Sequence, residues 1–202
     1  MTDPNAVSRR RFLLGVGVGS AAMGALAVTH AVLPLGPFSL ADDRRRFDSP
    51  QSLPVNRSAR QAAVADLASD PDWQLSIVNG ERVRMFRLAE LDALPQHREL
   101  LPIACVEGWT VDAAWHGVRL ADLLDLVDAP ADSTVRMRSM QQRGAFAVTT
   151  MQPQYVRDAK TLVALHVNGE RLSLDHGYPA RVIAPGRPGV LQTKWLTSIE
   201  VV

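Results

Sequence analysis

"LPIACVEGWT", residues 101–110, runs as an apolar strand through Ile103 and Ala104, reaches the single cysteine of a 202-residue chain at Cys105, and meets Glu107, Gly108 and Trp109. A free cysteine in such a run is a small buried hydrophobe, a nucleophile or a soft metal ligand. One cysteine closes no intrachain disulfide. A nucleophile needs a base, and no hydrolase signature links Cys105 to His97, His116, His166 or His176. A zinc site would need ligand pairs at short spacing, and there are none. Beside the buried-hydrophobe reading stands one thiolate on a metal held mostly by something other than protein.

Outward from Cys105 the pattern is regular. "LLPIACV" reads as a strand, and "WHGVRLADLLDLVDAP" as a short strand and an amphipathic helix with Leu120, Leu123, Leu124 and Val127 on one face. Upstream, "RQAAVADLASD" predicts a short helix ending near Pro71, and "WQLSIVNGERVRMF" alternates around Asn79-Gly80 as a type I′ hairpin. "RLAELDALP" has helical spacing and stops at Pro95. Downstream, "STVRMRSM" and "GAFAVTT" alternate as strands, and Met151 to Arg157 predicts a helical turn. "TLVALHVNGERLSL" is a second Asn-Gly hairpin, and "ARVIAP" and "WLTSIEVV" close as strands. The expected class is α+β, a mostly antiparallel sheet with flanking helices. The two "VNGER" pentads share turn chemistry, and their flanks do not align as a repeat.

With 47% hydrophobic and 21% charged residues, the chain has apolar material for a packed core. A net charge of +1 argues against a nucleic-acid partner. There is no Cys-x-x-Cys-His haem site, no cluster-forming cysteine set and no glycine-rich nucleotide loop. A redox role would therefore need a separate electron-transfer partner.

"SRRRFLLGVGVGSAAMGALA", residues 8–27, resembles a twin-arginine export signal: Ser8-Arg9-Arg10, then Phe12-Leu13 and a mild apolar segment. Ala25-Leu26-Ala27 fits a cleavage site, yet the apolar stretch is also long enough for a bilayer span of about 20 residues. The expected organisation is a signal or anchor over 1–41, a flexible linker over 42–58 and one domain over 59–202. Export would place the protein in the periplasm or on the outer face of the membrane.

"CVEGWT" and "WHGVRLADLL", with "NGERLSLDHGYPARVIAPG" and the terminal "KWLTSIEVV", together resemble the molybdopterin-binding core of the sulfite oxidase family. The bacterial branch typified by the periplasmic methionine-sulfoxide reductase catalytic subunit is most similar. The resemblance covers roughly residues 70–202. It implies that Cys105 is the protein ligand to molybdenum, and that His176, Arg181 and Lys194 contact the pterin and its phosphate. Soft thiolate, planar Arg fork and Lys point charge suit those roles. Two departures stand out: Ile103 and Leu191 replace basic residues of relatives, and Arg136, Arg138, Arg143 or Arg187 are candidates to compensate.

Glu107 occupies the place where sulfite oxidases carry cations close to the metal, and an ionised carboxylate there repels sulfite. With Cys105 it forms the candidate catalytic pair. The expectation is an exported, molybdopterin-dependent oxidoreductase with a neutral S-oxide or N-oxide substrate and a haem or quinone-linked membrane partner. The alternatives are a sulfite-oxidising enzyme and a metal-free binding module that keeps the fold. The chain ends at Val202, at the close of the core, so a monomer is expected. Trp109, Trp115 and Trp195 are expected in the core or a pocket wall.

Overall fold

Alternation over Gln74–Asn79 places Leu75 and Ile77 on one side of a strand, and both are fully buried in β1. The computed structural model describes residues 50–104 and 109–202. The expected signal, residues 42–49 of the expected linker, and the Cys105 and Glu107 positions lie outside the described residues. Among the described residues no helix is long and apolar enough to cross a membrane.

The described residues hold four short α-helices: α1 (Ala65–Ala68), α2 (Leu88–Ala93), α3 (Leu120–Asp125) and α4 (Pro153–Val156). The remaining strands are β2 (Arg82–Arg87), β3 (His97–Ala104), β4 (Thr110–Arg119), β5 (Val135–Ser139), β6 (Val148–Met151), β7 (Leu162–Val167), β8 (Glu170–Arg171), β9 (Arg181–Ile183) and β10 (Leu196–Val201). They form two sheets, β2-β1-β10-β5-β6 and β3-β4-β7-β8 with β9 also on β7. Only β1 and β10 pair in parallel; every other ladder among the described residues is antiparallel. The α+β expectation holds.

The larger apolar cluster joins Leu75, Ile77, Met137 and Ile199 of the first sheet to Val118, Val163 and Leu165 of the second. The α3 face predicted from spacing closes it: Leu120, Leu123 and Leu124 are fully buried and Val127 nearly so. A second cluster packs Leu101, Trp115, Leu162 and Ile183 against Leu53. Gly117 makes the β4–β7 approach possible, because a Cβ there would lie 2.1 Å from the Val163 carbonyl oxygen, beside the register shift after His116.

Three expectations are corrected. The helix over "RQAAVADLASD" shrinks to α1, because Ala63 takes a φ of 55° and interrupts it. Residues 50–58, expected within a flexible linker, pack on the domain: Leu53 is 2% exposed, and Gln51 bonds to Arg171 O and receives the Ser173 N–H. The two Asn-Gly turns also differ. In the second, Val167 pairs with Glu170, and Asn168 and Gly169 both have positive φ, the type I′ pattern. In the first, Asn79 pairs with Arg82 as a strand residue, and of the two turn residues only Gly80 has positive φ, the type II′ pattern. The Asn79 side chain donates to Val127 O and Asp128 O, which holds it in the strand.

Gly117→Ala is expected to lower the thermal unfolding midpoint by roughly 5 °C or more, since the methyl collides with backbone. Calorimetry of the purified variant checks this, and a midpoint within about 1 °C of the parent contradicts the close packing.

Candidate functional site

The chain from Ser173 to Arg181 turns back on itself in a way its residues dictate. Ser173 caps the turn Leu174–His176, and Gly177 ends it at φ 107°. The Tyr178-Pro179 bond is cis, and β9 begins at Arg181. Gly177 is pinched from both sides: a Cβ there would lie 3.1 Å from the Cβ atoms of Arg181 and Lys194. Absence of a side chain at 177 thus lets these two cations stand side by side.

Both face one cleft. It encloses about 770 Å³ with its open mouth included, within the range of small-molecule sites. His176, Arg181 and Lys194, assigned from the resemblance, all line it. So do Ile103, Ala104 and Trp109, the described residues on either side of the Cys105 stretch. The turn Gly189–Leu191 packs tightly there, since a Cβ on Gly189 would fall 2.5 Å from Ala104 O.

Arg181 is 3% exposed. Its Nη1 donates to His176 O at 3.1 Å, its Nη2 to Gln192 O at 3.5 Å, and its guanidinium lies 4.9 Å from the Trp115 ring centre. Nε is buried with no partner. Desolvation lowers the pKa to about 10, so the group stays charged at neutral pH. Among the described residues no carboxylate pairs with it.

Lys194 Nζ donates to Arg57 O at 2.6 Å, Asp175 O at 2.9 Å and Asn56 Oδ1 at 3.3 Å, and sits 4.4 Å from the Trp195 ring centre. Burial first, then the Arg181 charge, lowers its pKa to about 7. Arg57 lines the same cleft. Among the described lining residues there are three cations, Arg57, Arg181 and Lys194, and no carboxylate. Such a wall is built for an anion.

His176 lines the same cleft as a neutral ring. Burial, with Arg181 and Lys194 nearby, lowers its pKa to about 4, so the ring is neutral. Nε2 lies 3.2 Å from Leu53 O, and Nδ1 lies 3.1 Å from both Ser173 Oγ and Gln51 Oε1. Both ring nitrogens are engaged within the protein, and His176 holds residues 51–53 against the cleft wall.

The four candidate compensating arginines do not line the cleft. Arg136 pairs with Glu200, and Arg138 and Arg143 are exposed. Arg187 donates to Thr150 O and Leu191 O, which ties its loop to β6. Of the two departures, Ile103 is an apolar part of the wall. Trp115 and Trp195 are fully buried, and Trp195 lines the cleft together with the partly exposed Trp109. Sequence reading missed the wall made by Leu53, Asn56 and Arg57, whose mixed polar composition reads as linker.

A family model described as an oxidoreductase molybdopterin binding domain matches residues 61–202. The chain is similar to the sulfite oxidase of Arabidopsis thaliana, 35% identical over 113 residues that cover 47% of this chain and 29% of that protein. It is also similar to the protein-methionine-sulfoxide reductase catalytic subunit MsrP of Burkholderia mallei, 25% identical over a 238-residue alignment covering 98% of this chain and 71% of the relative. Among solved structures, the sulfane dehydrogenase SoxCD from Paracoccus pantotrophus shares the fold, with a TM-score of 0.58 and 22% identity over 65% of this chain and 38% of that one. The chain spans under a third of the length of the sulfite oxidases it matches, 29% and 27% for two of them.

An anion held by Lys194 requires the protonated amine, whose pKa is lowered to about 7, so affinity is expected to fall as pH rises through that value. Sulfate, which does not titrate in this range, is expected to bind the cofactor-free protein about tenfold more weakly at pH 8 than at pH 6. Lys194→Arg should flatten the profile, and a wild-type profile already flat by calorimetric titration would contradict the assignment.

Proposed function

Since this chain belongs to the family of oxidoreductase molybdopterin-binding domains, and its cofactor is molybdenum–molybdopterin, we propose that it is an exported enzyme reducing a neutral S-oxide or N-oxide by two-electron oxygen-atom transfer. The observation that carries the reading is the cation-lined cleft whose walls include both described flanks of Cys105. The donor set fits the group. A buried guanidinium with an unpartnered Nε and, among the described residues, no carboxylate beside it suits a terminal phosphate. When bound, molybdenum–molybdopterin supplies the two-electron redox chemistry.

In this reading Cys105 gives a soft thiolate to the metal. Arg181, Lys194 and Arg57 hold the phosphate, while neutral His176 secures the wall from Leu53 onward. Glu107, ionised, disfavours dianionic substrates. The substrate S–O or N–O bond breaks, the reduced sulfur or nitrogen leaves, and the oxygen departs as water after taking up two protons and two electrons. Those electrons come from a separate haem or quinone-linked partner. Residues 1–41 direct export by the twin-arginine route and, if retained, anchor the protein at the outer face of the membrane.

Sulfite oxidation is the second reading. It is favoured by the cation-only described lining and by the 35% identity to a sulfite oxidase. Parallel assays separate the two: S-oxide reduction by a reduced viologen dye with no sulfite turnover supports the first, and the reverse overturns it.

Cys105→Ser is expected to retain the fold and lose turnover by about a thousandfold or more, because a hydroxyl poorly replaces a soft ligand. Undiminished activity at normal molybdenum content would sink the thiolate assignment. Replacing Arg9 and Arg10 together by Lys should leave the protein in the cytoplasm, as followed by cell fractionation. Unaltered export would rule out the twin-arginine route.

A further inference from the structure

The chain has four tryptophans, and three of their indole N–H groups are satisfied inside the protein. Trp73 Nε1 donates to Leu196 O at 3.1 Å, Trp115 Nε1 to Leu101 O at 3.2 Å, and Trp195 Nε1 to Leu174 O at 2.7 Å. The Trp109 Nε1 atom is buried and has no partner. A buried indole N–H usually finds an acceptor, and leaving one unmade costs the desolvation of the group.

Trp109 lines the cleft. Its position is fixed by the β3–β4 ladder, whose final pair is Ala104 with Thr110. Trp109 therefore sits one residue outside a paired position, at the opposite end of the connection from Cys105. No described residue supplies the acceptor, so the candidate that remains is an occupant of the cleft that Trp109 lines. An indole N–H is a neutral donor, so it recognises an oxygen without demanding a full negative charge. The cations Arg181, Lys194 and Arg57 already match an anionic group, which leaves Trp109 suited to an uncharged, polarised oxygen.

We propose that Trp109 binds and orients the substrate by donating its indole N–H to the oxygen of a neutral S-oxide or N-oxide. The assignment rests on the reading of the cleft given above and adds the residue that selects such an oxygen. A hydrogen bond to that oxygen fixes which end of the substrate enters and, as the oxygen gains negative character during bond cleavage, becomes stronger.

The test uses the cofactor-loaded protein labelled with ¹⁵N at the tryptophan indoles, and dimethyl sulfone as an S–O analogue that is not turned over. On titration one indole signal, missing in Trp109→Phe, is expected to move with saturation while the other three stay in place. Trp109→Phe should keep its molybdenum and pterin content and its unfolding midpoint, and lose about three- to tenfold in kcat/KM for the S-oxide, through a higher KM and a lower kcat together. A signal that moves on cofactor loading and not with sulfone would assign the N–H to the cofactor and overturn the proposal. A signal that stays fixed while sulfone still competes with S-oxide turnover would also overturn it, leaving the enzyme reading intact. If sulfone neither shifts a signal nor competes, and S-oxides are not reduced, the neutral-substrate reading falls together with this one.

Discussion

Arg181 is a charge held at 3% exposure against a tryptophan face, with no carboxylate among the described residues to answer it. A lone buried ion is costly by several kcal/mol, and two carbonyls with a cation–π contact offset only part of that. Much of the surrounding structure serves to keep it there. Gly177 gives up its side chain to admit it beside Lys194, and β9 pairs its backbone to Ala164 of β7. The second apolar cluster surrounds the Trp115 ring on which it rests. Proteins retain such an arrangement where a ligand completes it, and a phosphate-bearing cofactor is such a ligand.

The same economy explains the segment at 50–58. Leu53 fills the second apolar cluster, its carbonyl lies 3.2 Å from Nε2 of neutral His176, and Lys194 reaches Asn56 and Arg57. These residues lie before the portion matched by the family model, yet they form a wall of the cleft. A depressed His176 pKa is part of this bracing. The folded group takes up its proton only near pH 4 while the unfolded one does so near 6.5, so the contribution is present above that window and is lost as pH falls through it.

Most secondary structure was legible in the chain because its signals are local. Alternation marked β1 and β2, helical spacing marked α3, and Pro95 marked the stop after α2. His176, Arg181 and Lys194 were legible as a set through the family resemblance, and the fold brings all three to one cleft. Their separate jobs were not legible. Whether a histidine nitrogen faces a ligand or a backbone carbonyl depends on residues more than a hundred positions away, as with Leu53 and His176. The compensating arginines failed for the same reason: Arg187 reads as a free cation in sequence and is spent on Thr150 O and Leu191 O.

The identical pentads at 78–82 and 167–171 separate what each level decides. Residue chemistry alone determined that both would turn, because Asn-Gly tolerates positive φ and is flanked by strand-forming residues. The fold decided where each turn falls. Asn79 is drawn into β1 by the Val127 and Asp128 carbonyls, whereas Asn168 stays in the loop, where it bonds to Ala114 N and Gln51 O. The cleft follows the same rule. Composition decides which cations and which tryptophans exist, and only packing determined that one guanidinium and one indole, both of residues lining the cleft, would be left with a buried donor to spare, because satisfaction of a hydrogen bond is a property of neighbours.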